Sequence, residues 1–318
     1  MAPPVVIAVV SWNTRELLAA CLRSIEPEVT AGRADAWVVD NASEDGSPEL
    51  VRERFPWARL IAAPENLGFG AAVNLVAERT EGPWIAPANA DIELLPGALE
   101  ALLDAGERNA RAGALAPMLL NRDGSPQHSV YSFPTLTFTV LFNSGVHRLS
   151  PRLGDHLCVE GKWDPGRPRR VDWAIGAFLL VRRDAWDQVG GFSREQWMYA
   201  EDLDLGWRLA GGGWMTRYVP AAAIRHRGAA ATEQAWGAAT TDYWLASTYA
   251  WMLRRRGAPV TRAVAILNLL GALSRWGLCA AGAIAAPRRW SARRDEMRRW
   301  ARLHLIGLRS RRVLLDQS

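Results

Sequence analysis

The sequence is poor in cysteine and almost without lysine. Cys21, Cys158 and Cys279 are odd in number and far apart, and no Cys-x-x-Cys occurs. This argues against a disulfide scaffold and against structural zinc. Lysine occurs once, at Lys162, and every other cation is Arg; that skew reads as genome composition rather than function. Residues 5–10 form too short an apolar run for a signal-peptide core, and no basic residue precedes them, so the expectation is exposure to the cytosol. Internal repeats and low-complexity tracts are also lacking.

What is present is a chain of 318 residues, 49% apolar and 22% charged. Such a chain buries a sizeable core, which excludes disordered and collagen-like classes. Its length allows one large domain or two modest ones. The net charge of +5 hides an asymmetry. Residues 251–318 hold 15 Arg against Asp295, Glu296 and Asp316, or +12, which leaves −7 for the first 250 residues. A mildly acidic body thus carries a strongly basic tail, and that bears on partners.

Periodicity predicts alternating strands and short helices. Strands are expected at 5–10, 36–40, 59–63 and 83–88, with helices at 14–25 (N-capped by Thr14), 48–54 and 69–78. A helix at 96–110 and a strand at 112–120 follow. Residues 121–170, rich in Pro, Gly and Ser, read as long loops. An apolar strand is expected at 171–181, a helix at 201–209 and a strand at 214–219 that ends at Pro220. From about residue 235 the pattern is helical. Strand–helix alternation is the α/β signature of a parallel sheet, and ligands sit at the carboxyl ends of such strands. Four strand ends carry polar residues: Ser11-Trp12-Asn13, Asp40-Asn41, Asn66 and Asn89-Ala90-Asp91. Each alone is ordinary turn chemistry; all four on one edge favour a ligand cleft.

Three motifs carry chemistry. Asp91, at a strand end, is placed to ligate a divalent cation, since Mg²⁺ takes one or two protein carboxylates plus phosphate oxygens. Glu201, Asp202 and Asp204 crowd the start of a helix beside Trp197 and Tyr199. Capping explains one or two of these acids, whereas a carboxylate at the lip of an aromatic cleft suits a general base toward a sugar hydroxyl. His226 closes a strand between Arg225 and Arg227; neutral imidazole suits a metal, and the arginines suit phosphate. Gly68-x-Gly70-x-x-Val73 lacks the third Gly of the dinucleotide fingerprint and follows the third strand rather than the first. NAD and FAD binding are therefore rejected.

Taken together, these blocks resemble family 2 glycosyltransferases of the GT-A fold. The resemblance rests on Ser11-Trp12-Asn13, Asp40-Asn41-Ala42-Ser43-Glu44-Asp45-Gly46-Ser47, Asn66-Leu67-Gly68-Phe69-Gly70 with Asn74, and Asn89-Ala90-Asp91. In the second half it rests on Asp172-Trp173 with Gly176-Ala177-Phe178, Arg183, Gly190-Gly191-Phe192, Tyr199, Glu201-Asp202-Leu203-Asp204-Leu205 with Arg208, and Pro220 to His226-x-Gly228. It covers residues 5–230, and within the family it is similar to bacterial rhamnosyl- and galactofuranosyltransferases of cell-wall and surface polysaccharides. It implies an α/β fold with a Rossmann-like mixed sheet over residues 1–235. Residues 1–120 would form the nucleotide-binding half, 121–235 the acceptor half, and 236–318 a helical extension. It further implies that Asp40 contacts the base, that Asn13, Asn66, Gly68 and Asn89 lie near the nucleotide sugar, and that Asp91 and His226 bind Mg²⁺ or Mn²⁺. Asp202 would be the catalytic base with Glu201 its neighbour, and Trp173 and Trp197 would flank the acceptor. The implied reaction is a single inverting displacement from dTDP-rhamnose, or else UDP-galactofuranose, to a glycan or lipid-linked acceptor. The chain departs from the family in Ser193-Arg194, where an acid is usual after Gly-Gly-Phe, and in Ala90, a position without a ligand. The rival reading, a non-catalytic sugar-nucleotide-binding or scaffold protein, is opposed by intact Asp91, Asp202 and His226.

Residues 263–287 are mostly apolar and long enough to span a membrane. Asn268, Ser274 and Arg275 lie near the centre, however, and a central Arg costs about 2.5–3.5 kcal/mol on insertion scales. One or two amphipathic helices on an anionic membrane surface, followed by the Arg-rich segment 288–312, are therefore expected. The rival is a helical subdomain packed on the body. Nucleic acid is not expected as a partner, because the tail is rich in Ala, Leu and Trp and no recognition motif precedes it. The expected location is cytoplasmic, peripheral on the inner face of the cell membrane. Oligomeric state is left open, a homo-oligomer included.

Overall fold

A computed structural model describes residues 4–228 and 240–309. The expected boundary at 235/236 and residues 310–312 of the Arg-rich segment lie outside the described residues. The chain divides into two compact units, Met1–Ser132 with Trp163–Gly237, and Phe133–Lys162 with Ala238–Ser318.

The first unit opens with alternating elements: β1 (Val5–Ser11), α1 (Arg15–Thr30), β2 (Ala34–Asp40), α2 (Ser47–Arg54), β3 (Arg59–Ala62), α3 (Phe69–Ala77) and β4 (Trp84–Asn89). Next come β5 (Ile92–Leu94), α4 (Ala98–Glu107), β6 (Ala112–Leu120) and β7 (Val130–Tyr131). After the helical segment that belongs to the other unit, it resumes with β8 (Arg169–Val171), β9 (Trp173–Ala174), β10 (Leu180–Arg182), α8 (Arg183–Val189), α9 (Glu201–Gly211) and β11 (Met215–His226). The main sheet runs β3-β2-β1-β4-β10-β6-β11-β5, with β8 also on β11. Strands β3, β2, β1 and β4 are parallel, and β10 lies antiparallel between β4 and β6, so the sheet is mixed. A second sheet pairs β7 with β9.

The apolar run of β1 follows from burial on both faces. Val5, Ile7 and Val9 join a core with Leu18, Leu22 and Ile25 of α1, Leu50 of α2 and Leu99 and Leu102 of α4. Val6 and Ala8 are buried as well, and α3 packs on β1. The parallel register places Ser11 beside Asp40 and Val10 beside Asn89. Three of the four expected polar strand ends, at Ser11, Asp40 and Asn89, therefore share one edge.

Four expectations are corrected. Thr14 precedes α1, but its hydroxyl pairs with Ser11 Oγ at 3.1 Å and makes no cap, while the helix continues through Pro27 to Thr30. The 171–181 strand is broken, because Trp173-Ala174 pairs with β7 whereas Val181 pairs with β4. Strand β11 does not stop at Pro220. A register shift between Val219 and Ala223 absorbs the missing N–H donor. The strand then pairs with β5, which the sequence reading missed. Lastly, residues 133–162 are not loops. They form α5 (Leu136–Asn143), α6 (Val146–Leu149) and α7 (Pro151–His156) and group with the C-terminal unit. Thr135 and Ser150 cap α5 and α7 through their hydroxyls, and Pro151 opens α7. The second unit continues with α10 (Thr240–Ala285), broken at Gly257 (φ 78°, ψ 166°), and α11 (Pro287–His304).

The glycines after β3 and α8 serve close approach. Asn74 of α3 grips the turn after α8 twice, accepting from Phe192 N–H at 2.9 Å and donating to Phe192 O at 2.8 Å. A Cβ on Gly191 (φ +65°) would sit 2.5 Å from Asn74 Oδ1 and 2.9 Å from Trp186, whereas one on Gly32 (φ +70°) would meet nothing within 4 Å. Both substitutions carry the left-handed penalty of about 1–2 kcal/mol, and only Gly191→Ala adds a clash of about 1–3 kcal/mol. Urea unfolding of Gly191→Ala should therefore show a clearly larger loss than Gly32→Ala. Equal losses would mean that the Asn74 grip yields freely.

Candidate active site

The carboxyl end of β2 builds the first cluster. Asp40 is buried; one carboxylate oxygen accepts from Ser43 N–H at 2.9 Å, and the other, Oδ1, is buried without a partner. Asn13 adopts a left-handed backbone (φ 50°). Its N–H donates to Ser43 Oγ at 2.9 Å and its Oδ1 accepts from Glu44 N–H at 2.8 Å. The two predicted residues thus hold one loop between them. The neighbouring Asn41 donates to Gly68 O at 3.4 Å, and its own Oδ1 is also buried without a partner. Unsatisfied buried acceptors cost stability, so this edge is set up for an outside donor.

Asn66 and Gly68 form the second cluster. Asn66 Oδ1 accepts from Gly68 N–H at 2.9 Å, so this side chain fixes its own turn. Gly68 (φ +79°) lies against Trp197; a Cβ there would be 2.5 Å from the Trp197 carbonyl oxygen and 2.9 Å from its ring. Trp197 itself is 45% exposed.

The third cluster arises where β5 pairs with β11. Register places His226 opposite Ile92 and Arg225 opposite Glu93. His226 Nε2 lies 3.4 Å from Asp91 Oδ1 and 3.5 Å from Asn89 Nδ2, and both Asp91 and His226 are buried. On the other side of the ring, Gln127 Oε1 is 2.8 Å from Nδ1. With Nδ1–H donating to that oxygen, the lone pair falls on Nε2, on the Asp91 side. Gln127 was not found from the sequence, since nothing local marks it. Arg225 and Arg227 both donate to Glu93, at 2.8 and 2.9 Å, so each has a structural partner that the sequence did not show. Burial alone would raise the Glu93 pKa, but the hydrogen bonds from Arg227 and Arg225 outweigh it and hold this carboxylate below its usual range.

The start of α9 supplies the fourth cluster. It follows two left-handed residues, Tyr199 (φ 62°) and Ala200 (φ 63°), a strained approach for non-glycine side chains. Asp202 accepts from Gly176 N–H at 3.1 Å and Leu203 N–H at 2.7 Å. Burial pushes its pKa up to about 6, and these backbone donors limit the rise. Glu201 is pushed higher, to about 8, by burial and by the charge on Asp202. The larger rise at Glu201 favours the proton there and the negative charge on Asp202. Asp204 serves a different purpose. It is fully buried and bonds Arg208 Nε at 2.6 Å, one turn along the helix.

One backbone segment joins the third and fourth clusters. Gly176 N–H holds Asp202, and the next residue, Ala177, accepts at its carbonyl from Asn89 N–H at 2.9 Å. Trp173, by contrast, is buried: its ring stacks on Tyr131 at 4.6 Å, its N–H donates to Ser132 O at 3.3 Å, and its Cβ abuts Gly206. It supports the wall behind Asp202 from one helical turn away.

Asp91 and His226 could hold a divalent cation, with Asn89 beside them. Among the described residues no group of three or more His, Cys, Asp or Glu is arranged around a metal position. A two-residue protein set fits Mg²⁺ or Mn²⁺ that draws its remaining ligands from phosphate and water.

Comparison with known proteins agrees with this geometry. Residues 6–147 match the sequence profile of glycosyl transferase family 2, and residues 166–243 that of glycosyltransferase like family 2. The N-acetylglucosaminyl-diphospho-decaprenol L-rhamnosyltransferase of Mycobacterium tuberculosis is 38% identical over 210 residues, covering 61% of this chain and 67% of that protein. Rhamnosyltransferase WbbL of Escherichia coli is 33% identical over 118 residues, 36% of this chain and 41% of that one. The mannosyltransferase PcManGT of Pyrobaculum calidifontis, solved with GDP-Man and Mn²⁺, superposes with a TM-score of 0.62 at 18% identity, over 97% of this chain and 86% of that chain. The chain therefore belongs to the family 2 glycosyltransferases, sugar-transferring enzymes built on the GT-A fold.

Proposed function

We propose that this enzyme moves rhamnose from a nucleotide-activated donor to a lipid-linked acceptor, by one inverting displacement that needs Mg²⁺ or Mn²⁺. The observation that carries the reading is the Gly176-Ala177 segment, which ties the Asn89 strand end to the Asp202 carboxylate. A leaving-group site and a base must stand on either side of one anomeric carbon, and this link supports such an arrangement. The name of the mycobacterial relative supports rhamnose and a prenyl-diphosphate-linked acceptor sugar. Neither relative named above is a galactofuranosyltransferase, so UDP-galactofuranose remains the second choice.

Each residue has a task in this reading. Asp40 Oδ1 would accept the imide N–H that thymine and uracil share, with Asn13 shaping the loop beneath. Asn66 and Gly68 would let the donor approach their backbone. Asp91 and His226 would hold the cation, and Asn89 would line the same pocket. When bound, a divalent cation offsets the negative charge that develops on the diphosphate. Asp202 Oδ2 or Oδ1 would take the proton of the acceptor hydroxyl as that oxygen attacks the anomeric carbon. Glu201, protonated, would keep a second negative charge away from Asp202. Trp197 would offer its exposed face to the acceptor, with Trp173 as the buried support. The body would work at the cytoplasmic face of the membrane, where a lipid-linked acceptor is reached by the basic extension.

Two outcomes follow. Asp91→Ala should abolish Mn²⁺-dependent donor binding in calorimetry with dTDP-rhamnose while keeping its thermal unfolding transition; unchanged metal-dependent affinity would remove Asp91 from the metal site. Asp202→Asn should lower transfer by about 10²–10⁴-fold, the usual worth of a general base, with donor binding nearly unchanged. Because the base must be ionised, the wild-type rate should fall as pH drops through about 6, and Asp202→Asn should lose that limb. Glu201→Gln is the matched control, and a swap of the two phenotypes would make Glu201 the base.

A further inference from the structure

The second half of α10 is inverted relative to a helix on a soluble protein. Its inward positions hold small residues: Thr261, Val264, Ala265, Gly271, Ala272, Cys279 and Ala283 are buried. Its outward positions hold large aliphatic ones: Ile266, Leu270 and Leu273 follow at helical spacing, and Leu278 and Ile284 are 73% and 86% exposed. Small residues inside and large apolar residues outside are the pattern of helices that meet lipid rather than water.

The polar residues at the centre of this stretch do not interrupt that face. Asn268 Oδ1 accepts from Asn143 Nδ2 of α5 at 2.8 Å. Both terminal nitrogens of Arg275 donate to Asn143 Oδ1, at 3.2 Å each. Gly271 leaves room for that carboxamide, because a Cβ there would fall on Asn143. One asparagine of α5 thus bonds both Asn268 and Arg275 from within the unit, which lowers the cost of setting this stretch against lipid.

Charge favours one occupant. Arg262 precedes the outward apolar run, and Arg288 and Arg289 follow it; all three are exposed. From Ile266 to Ile284 the run is about 27 Å long at the helical rise. Helix α11, which packs on α10, also exposes Arg293, Arg298, Arg299 and Arg302. A helix so charged does not sit in hydrocarbon beside a spanning neighbour, but it does sit among headgroups.

We infer that the outward face of α10, from Ile266 to Ile284, is a lipid-docking surface that lies in the plane of an anionic phospholipid leaflet, with Asn143 as its internal lock. This inference deepens the peripheral-membrane part of the proposed function and rests on it. The aliphatic side chains enter the acyl boundary, and the arginines at either end meet lipid phosphates.

The test uses the full chain and vesicles of phosphatidylglycerol and phosphatidylcholine. Leu270→Glu/Leu273→Glu should reduce vesicle co-sedimentation at least tenfold, with an unchanged circular dichroism spectrum. Leu278→Glu, at the more exposed position, should weaken binding in the same direction if the double variant folds poorly. Arg288→Gln/Arg289→Gln should lower binding at low salt and flatten its salt dependence. All of these variants should release dTDP from dTDP-rhamnose with Mn²⁺ as the wild type does, which reads the catalytic assignment apart from the membrane. Unchanged vesicle binding by both Glu variants would overturn the inference. So would a wild-type dimer in sedimentation velocity that Leu270→Glu/Leu273→Glu dissociates, since the face would then belong to a second copy. A wild type that binds vesicles through this face yet releases no dTDP would keep the inference and overturn the donor reading instead.

Discussion

The active site depends on two peptide units in the middle of a broken strand. Trp173-Ala174 leaves for the small sheet, whereas the antiparallel Ala88–Phe178 bridge carries the β4–β10 pairing back as far as Ala177. Ala177 O therefore takes the N–H of Asn89 as a main-sheet bond, and Gly176 N–H, at the break between the two sheets, takes the Asp202 carboxylate. Asn89 and Asp202, the proposed donor-side and base residues, lie more than a hundred positions apart and are thereby held through adjacent residues of one segment. A Cβ at Gly176 would meet Asp202 at 3.5 Å and Phe69 at 3.6 Å. The segment is thus packed against both α9 and α3, which restricts how far the base can wander.

A second non-local pairing completes the site. Strand β5 is three residues long, yet its antiparallel register with β11 decides that His226 faces Asp91. The Glu93 pairs with Arg225 and Arg227 reinforce that register from the flank. Both arginines thus have a structural partner in Glu93. The same logic separates the three acids of α9. Asp204 is paired with Arg208, Glu201 is where the proton is favoured, and Asp202 combines the favoured negative charge with backbone support.

Much of this was legible in the sequence, and the rest was hidden for identifiable reasons. Strands β1, β2 and β4 announce themselves through apolar runs that end in Ser11, Asp40 and Asn89, and residues carrying the family resemblance lie at those ends. Asp91, Asp202 and His226 could be named as candidates because their motifs are local. Gln127 could not, because its role exists only once β11 bypasses Pro220 and brings His226 alongside. Helices α5, α6 and α7 were read as loops because Pro, Gly and Ser were counted as breakers, when Ser150 and Pro151 in fact start a helix. Asn268 and Arg275 looked like faults in an apolar segment, since the partner that bonds them, Asn143, is distant in sequence.

The proposed reaction is a single displacement assisted by one base, Asp202, with no covalent sugar–enzyme intermediate. Stereochemistry tests it most directly. The anomeric proton of the transferred sugar can be followed by NMR from dTDP-rhamnose into the product. The account predicts that the product's anomeric configuration is opposite to the donor's from the first turnover. Retention of the donor's configuration would require a double displacement or a front-face route, and it would contradict the assignment of Asp202 as a base acting on the acceptor.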